Sequence, residues 1–235
     1  EQDEADKLIQ RVVTGFGDDS VQQLVGVHFV VEGASNILTK KLEWGRLAAY
    51  LEQSTRYIYF DSKINGRYRY YVPNNLADLR PTYVAGMDSI FDLYSKMVHE
   101  LTDYIRKNIP EPTGRKERQA WLGATRAQAC DAVRPVLPAA TTSTVGIFAS
   151  GQSVESLILH LLAEPLDECR TIGRQILRES RKVIGAFLER ADQPDRGLAR
   201  VAYMADTREA VTALVKKYIC NEDKQVTWAL SDTAK

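Results

Sequence analysis

The 235-residue sequence is poor in cysteine and histidine, and charge of neither sign is in excess. Its three cysteines, Cys130, Cys169 and Cys220, are widely separated and odd in number, which argues against a disulfide framework and a zinc ribbon. We therefore expect a reducing, cytoplasmic location. The three histidines show none of the short spacings of zinc-binding pairs, so we expect no metal site. Because 31 basic residues balance 31 acidic residues, the net charge predicts neither a nucleic-acid partner nor an acidic membrane surface.

Long hydrophobic runs and the common cofactor motifs are also missing. No apolar run approaches the roughly 20 residues of a membrane-spanning helix, and the acidic start, Glu1 to Glu4, differs from a signal peptide. The sequence contains no G-x-x-x-x-G-K-[ST], G-x-G-x-x-G, C-x-x-C, H-E-x-x-H or G-x-S-x-G motif. With 44% hydrophobic and 26% charged residues, the composition is that of a folded, soluble domain.

Hydrophobic spacing predicts helices around a short sheet. Apolar residues recur at intervals of three and four over 34–43, 84–107, 116–134, 154–161 and 172–188. Alternation over 25–31 and β-branched residues over 141–148 predict strands. We therefore predict an α+β fold in which long helices pack on a short mixed or antiparallel sheet. We expect a main domain over 1–205 and a helical C-terminal extension over 206–235.

Two further local patterns predict a hairpin and an N-terminal helix. The aromatic runs 57–60 and 67–72 flank the turn-forming pair Asn65-Gly66, as in a β-hairpin. Residues 4–14 are typical of a short helix, and the cluster Asp18-Asp19-Ser20 after it is typical of the cap of another helical turn.

A carboxylate, a hydroxyl and a guanidinium recur at every second position in Glu52, Ser54 and Arg56. In an extended segment these side chains point to the same face. They would offer hydrogen-bond acceptors, a small donor and a bidentate fork for an anion, which suits a nucleotide. The residues alone also fit a solvated strand face with an ordinary ion pair, which is the commoner arrangement, and both interpretations stay open at this point.

The stretch from Glu43 to Tyr57 resembles the signature of flavin-dependent thymidylate synthases, R-H-R-x-x-S-x-N-E-x-S-x-R-Y. Upstream, the run from Asp18 to Ser35 is similar to that family's H-x-S-V-x-E and F-x-I-E-G-x-S segments. Downstream, Arg134 to Pro138 resembles R-x-x-L-P, and Ser156-Leu157 opens a helix where the family has R-S-L. The resemblance covers about 15 to 190.

This resemblance implies a mixed helical and β fold and active sites at subunit junctions of a dimer or tetramer. It implies FAD as cofactor, deoxyuridylate (dUMP) as substrate, and methylenetetrahydrofolate and NADPH as co-substrates in a reductive methylation to thymidylate. The residues implied for the nucleotide are Glu52, Ser54, Arg56 and Arg134, and those for the flavin are Ser20, Trp44 and Arg46. The apolar stripe from Met87 to Ile105 is then either core or a subunit interface.

Departures from the family pattern concentrate on the flavin side. Trp44-Gly45-Arg46 stands in place of R-H-R, and Glu155 stands in place of the arginine before Ser156. Asp18 and Gln23 replace a histidine and a glutamate, and a later nucleotide-binding arginine is replaced near Glu164 or Pro165. We expect an acidic residue at a flavin phosphate to repel it.

The same stretch is similar to the first half of longer, tandem members of the family, in which two modules divide the work. Three functions remain open at this stage. The chain is an active thymidylate synthase or one half of it, a non-catalytic nucleotide-binding or assembly module that completes a partner, or a flavoprotein acting on another pyrimidine nucleotide.

Overall fold

The computed structural model describes residues 19–218 together with Glu4, 7–9 and 11–12. Its strands are β1 (Gly26–Ser35), β2 (Ala48–Glu52) and β3 (Thr142–Ser150). Its α-helices are α1 (Asn36–Leu42), α2 (Arg80–Asn108), α3 (Arg115–Val133), α4 (Gly151–Ala163), α5 (Asp167–Ile184) and α6 (Gly197–Tyr218). The helices predicted from periodicity are thus confirmed, with ends that differ by a few residues.

The three strands form one antiparallel sheet in the order β1-β3-β2. β3 pairs with β1 from Gly26 opposite Ser150 to Ser35 opposite Thr142, with a register shift between Val31 and Ala34. β2 pairs with the same strand from Ala48 opposite Ala149 to Glu52 opposite Val145. Helices packed on a small antiparallel sheet confirm the predicted α+β class.

One face of the sheet is buried beneath helices. Val145, Ile147 and Ala149 of β3 are at most 3% exposed and pack in a cluster with apolar residues of α1, α4 and α5. Since side chains alternate across a strand, the intervening residues of β3 point away from this core. The sheet therefore has an inner face against the helices and an outer face.

A second hydrophobic cluster joins α2, α3 and the aromatic segment between β2 and α2. Phe91, Tyr94 and Val98 of α2 are fully buried in it. The stripe from Met87 to Ile105 is therefore mainly core, although Met97 is 38% exposed.

The predicted hairpin of residues 57–72 is wrong. Asn65 and Gly66 do form a tight turn with positive φ angles of 52° and 79°, closed by the bridge between Ile64 and Arg67. The flanking runs, however, do not pair as regular strands. The Tyr71 N–H donates to the Ala140 carbonyl, and the Arg69 carbonyl accepts from the Thr142 N–H. These backbone groups are therefore hydrogen-bonded to the segment that leads into β3 and not to each other across a hairpin. The aromatic side chains of the run pack in the second cluster.

Both ends of the sequence extend past the described residues. The predicted helix over 4–14 lies partly outside the described residues, and Asp18 lies outside them. The predicted helical turn after Asp18 is a 3-10 helix, Asp19–Leu24, which precedes β1. α6 runs to Tyr218, and residues 219–235 lie outside the described part of the chain. The division into 1–205 and 206–235 stays a prediction.

A buried polar contact ties β1, α1 and α5 together. Ser35, the last residue of β1, caps α1 because its Oγ accepts from the Leu38 N–H at 3.1 Å. The Glu168 carboxylate on α5 in turn accepts from the Ser35 N–H at 2.9 Å and from its Oγ at 2.6 Å. Burial raises the pKa of the Glu168 carboxyl, although the two hydrogen bonds from Ser35 oppose that shift.

This pKa shift predicts a pH dependence of stability. Because the folded state holds the Glu168 proton more tightly than the unfolded state, protonation of Glu168 stabilises the fold. This stabilisation is complete below the ordinary glutamate pKa of 4.5 and is lost as pH rises through the folded-state pKa. Glu168→Gln removes the titration. We expect the free energy of unfolding of the wild type, relative to Glu168→Gln, to increase as pH falls from neutral towards 4.5, measured by urea unfolding. A difference that does not vary with pH would contradict the assignment.

Candidate functional site

Glu52 lies at the end of β2, on the inner side of the sheet. It shares the side of Ala48 and Tyr50, which pack against the core. Its carboxylate lies 3.1 Å from the Lys40 ammonium of α1, and the same ammonium lies 3.5 Å from Glu43. Burial lowers the pKa of Lys40, but the hydrogen bond and negative charge of Glu52 outweigh this and raise it. Glu52, with its side chain 27% exposed, is therefore held in place and still reachable.

Ser54 and Arg56 do not continue the strand face of Glu52, so the prediction of one extended face is wrong. β2 ends at Glu52, and a turn begins at Thr55. The Ser54 Oγ accepts from the Arg56 N–H at 3.2 Å, a local bond by which serine competes with strand pairing. Arg56 is exposed, with its guanidinium 5.5 Å from the Tyr57 ring centroid.

The backbone before this turn is anchored to β3. The Gln53 N–H donates to the Thr144 carbonyl, and the Ser143 Oγ donates to the Gln53 carbonyl, both at 2.9 Å. These bonds hold the turn at the end of the sheet where β3 begins.

Arg134 lies in the segment that leads into β3. It opens a 3-10 turn, Arg134–Val136, between α3 and β3. Its side chain is 49% exposed and its Nε lies 3.2 Å from Asp131. Of the four residues implied for the nucleotide, Glu52, Ser54 and Arg56 therefore lie at one end of the sheet, and Arg134 precedes the start of β3 by eight residues in sequence.

The residues implied for the flavin lie towards the other end. Ser20 belongs to the 3-10 helix before β1, and Trp44 and Arg46 belong to the loop before β2. The starts of β1 and β2 both pair with the last residues of β3. Because β2 has five residues, its two ends are about 14 Å apart.

An open groove of about 530 Å³ lies at this second end. This volume falls in the range of small-molecule sites, roughly 300–1,000 Å³. Gly26 lies close to the Phe148 ring, since a Cβ on Gly26 would come within 2.9 Å of it. The lining residues come from the starts of β1 and β2 and the end of β3: Gln23, Leu24, Val25, Gly26, Leu47, Ala48, Ala49, Phe148, Ala149 and Ser150. Sequence reasoning missed this groove because strand pairing alone brings its three parts together.

The loop beside the groove is fixed by Tyr50. The Tyr50 hydroxyl donates to the Gly45 carbonyl at 2.8 Å, and a Cβ on Gly45 would meet that hydroxyl at 2.9 Å. Trp44 is 72% exposed, with the Lys41 ammonium 4.5 Å from its ring centroid. Arg46 is exposed and immediately precedes Leu47 in the groove wall.

Glu155 does not present its charge to the flavin end, which corrects the expectation of repulsion there. Its side chain is 6% exposed, and Arg190 donates to its two oxygens at 2.8 and 2.7 Å. Gln22, from the 3-10 helix that carries Ser20, also donates to Glu155 at 3.3 Å and to the Phe187 carbonyl at 2.6 Å. The chain thus neutralises this reversed charge internally.

Glu164 is compensated in the same way. Its carboxylate lies 3.0 Å from the Lys41 ammonium and 3.5 Å from the Arg208 guanidinium. Glu164 therefore joins α1, α4 and α6, and its negative charge is balanced within the chain.

The possible metal ligands and the cysteines can be compared with the sequence expectations within the described part of the chain. Within it, no group of three or more histidine, cysteine, aspartate or glutamate side chains could hold a metal ion. Cys130 and Cys169 are buried free thiols, and burial raises the pKa of Cys169 to about 11. Cys220 lies outside the described residues. None of the described helices is both long and apolar enough to cross a bilayer.

Comparison with known proteins identifies relatives. The sequence profile of the thymidylate synthase complementing protein family matches residues 1–184. A UPF0159 protein of Chlamydia muridarum is 35% identical over 213 residues, which make up 89% of this chain and 40% of that protein. The flavin-dependent thymidylate synthase of Clostridium tetani is 24% identical over 176 residues, or 73% of this chain and 65% of that protein. The chain thus spans about two fifths of the length of its Chlamydia relative.

The fold is similar to that of a solved structure. Thymidylate synthase X from Helicobacter pylori, crystallised with FAD and dUMP, aligns with a TM-score of 0.53 and 14% identity. The alignment covers 74% of this chain and 77% of that chain. At this level of identity the likeness shows the fold.

The buried Glu155–Arg190 pair gives a stability prediction. Arg190→Met would leave a buried carboxylate without its cation, which costs about 3–5 kcal/mol of unfolding free energy. Adding Glu155→Gln should recover part of this loss, because the uncompensated charge is then removed. The exposed pair of Arg178 and Glu179 provides the control, since Arg178→Met should change stability little. Equal effects of the two arginine substitutions in urea unfolding would contradict a structural role for the buried pair.

Proposed function

Because the chain belongs to the thymidylate synthase complementing protein family, the family of the flavin-dependent thymidylate synthases, we propose that it is a divergent module of such an enzyme. The reaction would convert dUMP to thymidylate, with methylenetetrahydrofolate as carbon donor and NADPH as electron source. FAD, when bound, supplies the hydride. The observation that carries this proposal is the retained nucleotide motif at one exposed end of the sheet, with Glu52 held beside Lys40.

The nucleotide end has the chemistry that a pyrimidine nucleotide requires. Glu52 would accept hydrogen bonds, and Ser54 would donate one. Arg56 and Arg134 would bind the phosphate, since a guanidinium forms paired hydrogen bonds with such an anion. Arg134 can leave its exposed contact with Asp131 at little energetic cost.

The groove at the other end fits part of a flavin. Exposed Leu24 and Phe148 give it apolar walls suited to a flat aromatic ring. Arg46 supplies a cation for the pyrophosphate, but Trp44 and Gly45 stand where the family pattern has two more basic residues. We therefore expect this module alone to hold FAD weakly.

The separation of the two ends supports a site shared between chains or modules. Within one chain, Glu52 faces the helices, whereas the groove lies at the opposite end of β2 and is lined by outer-face residues such as Ala49. A second subunit or tandem module would bring a nucleotide end to a groove. Three widely spaced cysteines favour a cytoplasmic setting for such an enzyme.

A non-catalytic role is the second candidate. It is favoured by the loss of basic residues at Trp44 and Gly45 and by the use of Glu155 as a structural partner of Arg190. In that case the chain would bind a nucleotide or complete the active site of a partner, without turnover of its own.

Arg56 provides the test of nucleotide binding. Arg56→Ala should weaken dUMP binding by about 1.5–3 kcal/mol, roughly ten- to a hundredfold, because a charge-assisted hydrogen bond to the phosphate is lost. Arg56→Lys should bind less well than the wild type, since the planar fork is gone. Calorimetry measures both affinities, and Arg178→Ala is a matched control at an exposed arginine. Wild-type binding that is unaffected by Arg56→Ala would remove Arg56 from the site.

Trp44 provides the test of flavin binding. Trp44→Arg restores a cation beside the groove, and we expect FAD to bind roughly tenfold or more tightly, which is about the 1.5–3 kcal/mol of one charged hydrogen bond. Gly45 is left unchanged, since a side chain there would collide with Tyr50. Trp44→Leu is the control for loss of the ring. Quenching of flavin fluorescence gives the affinities, and full occupancy by FAD in the purified wild type would contradict weak binding.

A further inference from the structure

The last three turns of α6 project beyond the helix on which it packs. α6 lies along α4, and the Arg208 guanidinium donates to the carbonyl of Ala163, the last residue of α4. Past that contact, all residues from 209 to 218 are exposed. At 1.5 Å per residue this stretch is about 15 Å long. It also follows residue 184, where the match to the family profile ends, so it lies outside the part that the profile covers.

The projecting turns carry an apolar stripe. Met204 and Arg208, four residues apart, are half-buried, and the same side of the helix continues at intervals of three and four. Its next apolar residues are between 39% and 67% exposed, and we call them the α6 stripe: Val211, Leu214, Val215 and Tyr218. A helix draws most of its stability from packing such a stripe against another segment. The α6 stripe is therefore a docking surface.

The sequence that follows the α6 stripe has the residues to cover it. Residues 219–235 lie outside the described part of the chain. Segments that stay solvated contain few aromatic and β-branched residues, whereas this one places Val226, Trp228 and Leu230 within five positions. Asn221 and Asp223 precede them, and both residue types favour turns. This order predicts a reversal of the chain followed by an apolar segment.

We propose that the segment 226–230 folds back and packs on the α6 stripe. The connection from Tyr218 to Val226 spans up to about 26 Å when extended. The α6 stripe, from Val211 to Tyr218, is about 10 Å long. The segment can therefore reach every residue of the stripe. This inference stands apart from the proposed function, because neither the nucleotide residues nor the groove takes part in it.

Tethering and charge favour this segment over a separate protein as the occupant. A segment joined by a short connection has an effective concentration of about millimolar, so it covers the stripe ahead of a second copy at micromolar concentration. Lys216 and Lys217 lie in the last turn of α6. A reversal after Tyr218 brings Glu222 and Asp223 close to these two lysines, where opposite charges attract.

Hydrogen exchange of the full chain, followed by mass spectrometry, tests the docking. Trp228→Ser removes the largest side chain of the segment, and Leu214→Gln makes the α6 stripe polar while keeping a good helix former. Each should speed amide exchange over 209–218 by about ten- to a hundredfold, the factor expected for one large apolar side chain that is no longer buried. Exchange in α4 should not change, which also establishes that each variant is folded.

Matched controls and a double variant make the test specific. Val183→Gln, on α5 at a position that is 72% exposed, and Thr227→Ala, beside Trp228, should leave exchange over 209–218 unchanged. Because both substitutions break the same contact, Trp228→Ser with Leu214→Gln should exchange no faster than the faster single variant.

Three results would overturn the proposal. The first is exchange over 209–218 that either single variant leaves unchanged. The second is additive effects in the double variant, which would mean that the two residues do not touch. The third is protection of 209–218 that grows with protein concentration and is insensitive to Trp228→Ser, which would assign the α6 stripe to a second copy of the chain. All three leave the dUMP and FAD tests unaffected, because exchange is measured without either ligand.

Discussion

The pairing of β3 with strands on both of its sides is the interaction on which the rest of the structure depends. Its hydrogen bonds to β1 and β2 align the starts of those two strands at one end of the sheet. The alternation of its side chains then places Val145, Ile147 and Ala149 in the core and leaves Phe148 outside. The groove, the anchored turn after β2 and the uncovered outer face all follow from this one arrangement.

Buried carboxyl groups inside the chain find hydrogen-bond or ion-pair partners in distant segments. Arg190 and Gln22 hold Glu155, and the N–H and hydroxyl of Ser35 satisfy the Glu168 carboxyl. A buried carboxylate without such partners would be strongly destabilising. The departure from the family pattern at position 155 thus has a structural explanation, since Glu155 links α4 to the segment that bears Ser20.

The two ends of the sheet differ in how well they keep the family's binding chemistry. The residues proposed for the nucleotide keep the carboxylate, hydroxyl and guanidinium groups of the family signature, and Lys40 adds a cation that the motif did not indicate. The end proposed for the flavin keeps one arginine, Arg46, and has an apolar groove where the family signature has a basic cluster. This asymmetry agrees with the proposed division of labour between chains or modules, in which no single end has to supply every contact.

The sequence by itself determined the core helices, the strands β1 and β3 and the resemblance of residues 43–57 to the family signature, because these follow from local periodicity and from the order of residue types. It missed β2 and predicted a hairpin over 57–72 that does not form. It did not determine where backbone and charged groups find their partners. The Tyr71 N–H donates to the Ala140 carbonyl and not across a hairpin. The Ser54 hydroxyl accepts from the Arg56 N–H in a turn that ends the extended segment, and Glu155 pairs with Arg190. Tertiary structure alone decided these contacts, along with the groove, because each depends on segments far apart in the chain that meet only when β3 is paired on both sides.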